Sequence, residues 1–153
     1  MASMKRPRLA DVTVLPRYIL SLSFIDGSRY SVSLAEDVVK LPGLQPLQDE
    51  QAFAGVVLAD DGWALEWPTF DIQIGADTLW LDAQAQSAKD PATRFFLAWR
   101  SRNGLSLASA ASAIGLSPRT VSAYGTGKRP VPRYIVLACK GWEAEHRRPG
   151  LPL

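Results

Sequence analysis

The sequence predicts an α+β chain in which a small, mostly antiparallel sheet domain, residues 1–83, is followed after a linker at 84–89 by an all-α domain, residues 90–146. Two periodicities and one charge boundary lead there. Apolar residues alternate with polar ones in the first half and recur at the helical period in the second. Residues 1–89 carry seven Lys and Arg against twelve Asp and Glu, whereas residues 90–153 carry ten against three. The formal net charge of +2 conceals these opposed halves.

Strands come first. Tyr18, Leu20, Leu22 and Phe24 alternate with Ile19, Ser21, Ser23 and Ile25, Asp26-Gly27 turns the chain, and Tyr30, Val32 and Leu34 alternate on the return. Asp-Gly tolerates the left-handed dihedrals of a hairpin turn. Leu34 to Lys40 fits a short helix, and Pro42 and Pro46 punctuate the loop after it. Val56 to Ala59 and Trp63 to Trp67 flank Asp60-Asp61-Gly62 as a second hairpin, and Ile72, Ile74 and Leu79-Trp80-Leu81 predict a further strand or strand-loop. Together they predict one small sheet with a helix. The run Ala-Gln-Ala-Gln-Ser-Ala-Lys-Asp at 83–90 is small and polar, which suits a linker.

Helices follow. Asp90-Pro91 is a capped start, Phe95, Phe96 and Trp99 give the helix its apolar face, and Gly104 stops it. Leu107, Ala110, Ala111 and Ile114 sit at i, i+3, i+4 and i+7, one apolar side of a second helix. Gly115 supplies the positive φ of a helix end, Ser117 caps the next helix, and Pro118 occupies its first position. Two short helices joined by a three-residue turn make a helix-turn-helix pattern. The last helix runs from near Pro132 toward Glu145, with Ile135, Ala138, Cys139 and Trp142 on its inner stripe. Val136 and Leu137 are surplus to that stripe and suggest docking against the sheet domain, docking against a second subunit, or burial in a crowded core.

The helix from Pro118 carries the candidate chemistry. Val121 and Tyr124 point back toward the preceding helix, which leaves Arg119, Thr120, Ser122 and Ala123 on the remaining surface. A guanidinium can donate two bonds to guanine, hydroxyls serve bases or phosphates, and a methyl can touch thymine. Arg119 and Thr120 are therefore the expected base readers, with Ser122 and Ala123 in support. Lys128 and Arg129, in the loop Gly125-Thr126-Gly127-Lys128-Arg129-Pro130, suit phosphates and set register. Ser106, Ser117, Thr126 and Arg133 complete the expected phosphate contacts.

Other chemistries fit poorly. No apolar stretch is long enough for a membrane helix, and the N-terminus lacks the apolar core of a signal peptide, so a cytoplasmic protein is expected. One cysteine, Cys139, excludes an intrachain disulfide and a cysteine-cluster metal site, and its apolar neighbours predict burial. Gly125-Thr126-Gly127-Lys128 superficially suggests a phosphate loop. Ser122 stands where its first glycine belongs, and Arg129 where its Ser or Thr belongs. His146 has no partner at metal-ligand spacing and is expected as a solvated tail residue. Glu36-Asp37 and Asp60-Asp61 are adjacent on the chain, unlike carboxylates that flank a substrate. Trp63, Trp67 and Trp80 fit core packing better than a ligand groove. Lys5-Arg6-Pro7-Arg8 could form a minor-groove arm, though a disordered basic start is the simpler expectation. No enzyme, cofactor or metal is expected.

Two family resemblances add to this. The segment from about Thr93 to Ala144 resembles the Cro and lambda-repressor class of helix-turn-helix domains. It does so through Ala110-Ala111, Ile114-Gly115-Leu116-Ser117, Thr120-Val121-Ser122-Ala123-Tyr124 and Gly127-Lys128-Arg129-Pro130. The resemblance implies a lambda-repressor-like helical bundle whose third helix enters the major groove. Leu107 replaces a glutamine that often binds phosphate in that class. Gly125 replaces an acidic residue, so the recognition helix is expected to end a turn early. The segment from about Val14 to Trp80 is similar to a family of small bacterial domains of unknown function. That likeness rests on Leu15-Pro16, Tyr18-x-Leu20-x-Leu22-x-Phe24-x-Asp26-Gly27, Phe53-x-x-Val56, Glu66-Trp67-Pro68 and Ala76-Asp77-Thr78-Leu79-Trp80, although Thr69-Phe70 stands where Asn-Gly is usual. It implies regulation or protein contact.

The combined expectation is a Cro/repressor-type transcriptional regulator. It would bind double-stranded DNA as a homodimer, with an N-terminal sensor or partner domain. The alternative is an antitoxin-like interaction module whose acidic domain holds a protein partner, with DNA binding secondary or lost.

Overall fold

The structure, a computed structural model, describes residues 6–146. The chain divides into two compact units between Ala83 and Gln84. In the first unit, β1 (Leu9–Leu15), β2 (Ile19–Phe24) and β3 (Arg29–Ser33) form an antiparallel sheet in that order. The register places Val12, Leu22 and Tyr30 in one row and Val14, Leu20 and Val32 in another on the same face. Thr13, Ser21 and Ser31 form a row on the other face, so alternation separates core from solvent. Leu20, Leu22 and Val32 are fully buried. Gly27 takes φ 91° at the expected hairpin turn.

Between β3 and the next strand lie α1 (Ala35–Lys40), a 3-10 segment (Pro42–Gln48) and α2 (Glu50–Phe53), where only one helix and a loop were expected. Asp49 caps α2, its carboxylate accepting from the Gln51 N–H at 3.3 Å. That helical stretch separates the strands into two sheets, so the single predicted sheet is corrected. The second sheet runs β4 (Val57–Ala59), β5 (Ala64–Trp67) and β6 (Ile72–Gly75), all antiparallel. Its first turn is Asp60-Asp61-Gly62, with all three residues at positive φ. A side chain at Gly62 would place a Cβ 2.0 Å from the Leu9 carbonyl oxygen, so glycine is required there.

The expected strand at Leu79-Trp80-Leu81 is instead the middle of α3 (Ala76–Ser87). Ala76, Leu79, Trp80 and Ala83 are buried at i, i+3, i+4 and i+7, a helical face whose period overrides the short apolar triplet. Phe24 and Tyr30 pack edge-on against Trp80 at 4.9 and 5.6 Å. Residues 84–87 of the expected linker are helical because Ala and Gln are good helix formers. Trp67 is buried and donates from Nε1 to the Phe53 carbonyl at 2.8 Å.

The second unit contains α4 (Pro91–Arg102), α5 (Leu107–Ile114), α6 (Pro118–Gly125) and α7 (Arg133–Glu145). Phe96, Trp99, Ala110, Ala111, Val121, Tyr124, Ile135 and Cys139 form its core. Burying each large apolar side chain contributes about 1.5–3 kcal/mol. Asp90 caps α4 by accepting from the Thr93 N–H at 3.1 Å. At the other end, Arg102 donates twice to Glu143, at 2.7 and 2.8 Å, and ties α4 to α7. Leu107, expected on the apolar side of α5, is exposed; α5 buries only Ala110 and Ala111. Tyr134 and Leu137 are exposed on α7.

Candidate nucleic-acid interface

The α5–α6 corner is set by local chemistry. Gly115 adopts φ 74° and donates to the Ala111 carbonyl, closing α5, and the Leu116 N–H bonds to Ala111 at 2.8 Å. Ser117 then opens α6 by accepting from the Thr120 N–H at 3.2 Å, with Pro118 at the first helical position. Val121 and Tyr124 point inward and are buried, and Tyr124 meets Phe96 edge-on at 5.5 Å. Arg119 is exposed at the first turn. Thr120, Ser122 and Ala123 are half-buried along the same helix. Gly125 belongs to α6, so the helix does not end early. A Cβ there would lie 3.3 Å from the Leu97 side chain, a local reason for a small residue in place of an acidic one.

The cations follow directly. Gly127 turns the chain with φ 78°. Lys128, Arg129 and Arg133 are all exposed. The Arg129 guanidinium lies over the Tyr124 ring at 5.6 Å, and its backbone N–H donates to Ala123 at 3.2 Å. A stacked guanidinium loses less freedom on meeting an anion than an untethered lysine does.

The expected hydroxyls already hold local partners. Ser106 caps α5 by accepting from the Ser109 N–H at 3.0 Å, and Thr126 donates to the Ala123 carbonyl at 3.4 Å. The Ser117 and Thr120 hydroxyl oxygens are 3.0 Å apart, one donating to the other. Each retains a lone pair, but free donor capacity is reduced. Arg100, which sequence reasoning passed over, is only 8% exposed and donates from Nε to the Leu105 carbonyl at 3.3 Å. It braces the start of α5, and burial lowers its pKa. Its position in the last turn of a capped helix is the only sequence signal for that role. Burial pushes the Cys139 thiol up to about 12, so it is protonated at neutral pH.

Elsewhere the tryptophans diverge. Trp67 and Trp80 are buried as expected, but Trp63 is exposed, with Arg6 and Arg8 over its ring at 5.2 and 5.4 Å. Arg8 also donates to the Asp61 carbonyl at 2.6 Å, so this part of the basic start lies on the sheet unit; Lys5 is outside the described residues. His146 is exposed, yet it stacks on Trp142 at 4.0 Å. Among the described residues no helix is long and apolar enough to cross a membrane.

A two-sheet α+β unit is followed by four helices, three of them capped by side chains, and α6 with the loop after it leaves Arg119, Lys128 and Arg129 exposed. The chain belongs to the family described as protein of unknown function (DUF2442), whose model matches residues 9–85. The match spans both sheets and most of α3, in line with the resemblance carried by the N-terminal motifs. A crystal structure named for a "Putative DNA Binding Protein" from Nitrosomonas europaea is similar, with 34% identity over 100% of both chains and a TM-score of 0.53. No curated protein matches the chain.

Proposed function

We propose that this chain is a sequence-specific transcriptional regulator of the Cro/repressor type, in which α5 and α6 form a helix-turn-helix on double-stranded DNA. The observation that carries this reading is α6. One side is pinned by buried Val121 and Tyr124, while Arg119 and the Lys128-Arg129 edge remain open to solvent. Arg119 and Thr120 read base edges, and Ser122 and Ala123 line the same approach. Lys128, Arg129 and Arg133, with Ser106, Ser117 and Thr126, hold phosphates. The name of the Nitrosomonas europaea neighbour supports the same class. The reading needs no cofactor and no catalytic step.

An eight-residue helix is about 12 Å long and covers only a few base pairs. The regulator therefore acts as a homodimer on two half-sites. The acidic N-terminal half favours a protein partner or effector for the family unit, the feature it shares with an antitoxin-like module.

Selection of duplexes from a random pool by the full chain, at a stated salt concentration, tests the reading. Enrichment of one two-fold-related motif supports it. Absence of any enriched sequence, together with stoichiometric capture of one protein partner, contradicts it in favour of the interaction module. Lys128→Ala weakens binding to all sequences alike and flattens the log–log salt slope by about one.

A further inference from the structure

Two cations of the acidic half converge on one exposed ring. The Arg6 and Arg8 guanidinium carbons lie 5.2 and 5.4 Å from the Trp63 ring centre, and Trp63 is 40% exposed. All three residues belong to the sheet unit. Arg8 is held at two points, its carbonyl accepting from the Ile25 N–H at 3.0 Å and its Nε donating to the Asp61 carbonyl at 2.6 Å. Arg6 is exposed and has the ring as its one partner among the described residues. Like charges gathered this closely repel, and the indole face offsets only part of that. Carboxylates are at hand, since Asp60 and Asp61 form the adjoining turn and both are exposed. Neither pairs with either arginine; among the described residues the ion pair of the sheet unit is Lys40 with Glu36. The two guanidiniums are thus assembled without a counter-charge.

We propose that Arg6, Arg8 and Trp63 form an anion site on the sheet unit, and that its ligand is the terminal, doubly charged phosphate of a monoester. One guanidinium fork satisfies a carboxylate, whereas a monoester phosphate has three oxygens and nearly two charges, enough to accept from two forks at once. Trp63 is the platform, because stacking on a ring pre-organises a planar guanidinium for an oxyanion. A duplex backbone fits less well, since residues 1–89 carry twelve carboxylates against seven cations and repel a polyanion. The site lies in the other unit from α6 and stands whether or not α6 reads DNA.

The test titrates the full chain with inorganic phosphate, dimethyl phosphate or acetate at constant ionic strength and about pH 7.5, where phosphate is mostly a dianion. Binding is followed by the Trp63 indole N–H resonance, identified as the signal missing from Trp63→Phe. Inorganic phosphate shifts that resonance saturably, and the two singly charged anions bind much more weakly. Arg6→Gln weakens phosphate binding about tenfold or more without moving the unfolding midpoint, because it removes charged hydrogen bonds to the ligand and none to the protein. Arg8→Lys keeps the charge, loses the fork and weakens binding as well. Equal affinity for acetate makes this a carboxylate site and overturns the proposal. Equal affinity for dimethyl phosphate makes it a backbone site and does the same. So does an indole signal that phosphate leaves unmoved, or an Arg6→Gln chain that binds phosphate as wild type does. None of these outcomes touches the reading of α6.

Discussion

At the scale of single residues, the helical unit is specified by short-range rules that decide where each side chain can point. Ser117 serves two purposes, ending the turn and starting α6, and its hydroxyl satisfies one of the N–H groups that a helix start leaves open. Ser117→Ala therefore lowers the stability of the chain by about 1 kcal/mol, measured by denaturant unfolding. An unchanged unfolding midpoint would show that the cap contributes nothing. Asp37 on α1 carries the opposite sign. Burial raises its pKa, Glu36 adds to the rise, and Lys40 opposes it. A carboxyl with a raised folded pKa contributes stability that is present below its ordinary range and lost as pH rises through the folded value. Asp37→Asn consequently raises the melting temperature at pH 7 and leaves it nearly unchanged at pH 3. A larger gain at pH 3 than at pH 7 would reverse the assigned sign.

At the scale of elements, the sequence was most legible where caps and periodicity agreed. Asp90-Pro91 and Ser117-Pro118 marked helix starts that α4 and α6 bear out, and Gly115 marked the end of α5. The hairpin turns at Asp26-Gly27 and Asp60-Asp61-Gly62 were equally plain. Misreadings arose where a short apolar run concealed a longer period. Leu79-Trp80-Leu81 resembles a strand in isolation, but Ala76 and Ala83 extend it into a helical face. Residues 84–87 resembled a linker because they are polar, yet Gln and Ala favour helix whenever one is already running. The β1–β2 turn was not legible either, since Arg17 and Tyr18 take positive φ without glycine. At the interface, the outward set on α6 followed from the placement of Val121 and Tyr124. The Ser117 cap was legible too, whereas the local commitments of Ser106, Thr120 and Thr126 were not, because hydroxyl rotamers leave no trace in periodicity.

At the scale of the whole molecule, the charge boundary divides an acidic half of the chain from a basic one. The family unit is acidic, whereas the helical unit is basic and exposes Arg119, Lys128, Arg129 and Arg133 on α6, in the loop after it and at the start of α7. A homodimer on DNA has a geometric consequence: selected half-sites lie about one helical turn, roughly 10 base pairs, centre to centre, or at a multiple of that spacing. Inserting five base pairs between them abolishes tight binding, and inserting ten restores part of it. Indifference to the five-pair insertion would mean that each chain binds alone.

Sequence reading by α6 is the central claim, and Arg119 tests it most directly. Affinities of wild type and Arg119→Ala are measured side by side on the selected duplex and on a scrambled duplex of the same length and salt. The account predicts a loss of about 1–3 kcal/mol on the selected duplex, relaxed preference at one base, and little change on the scrambled one. Equal losses on both duplexes would contradict it, since Arg119 would then be one more phosphate contact.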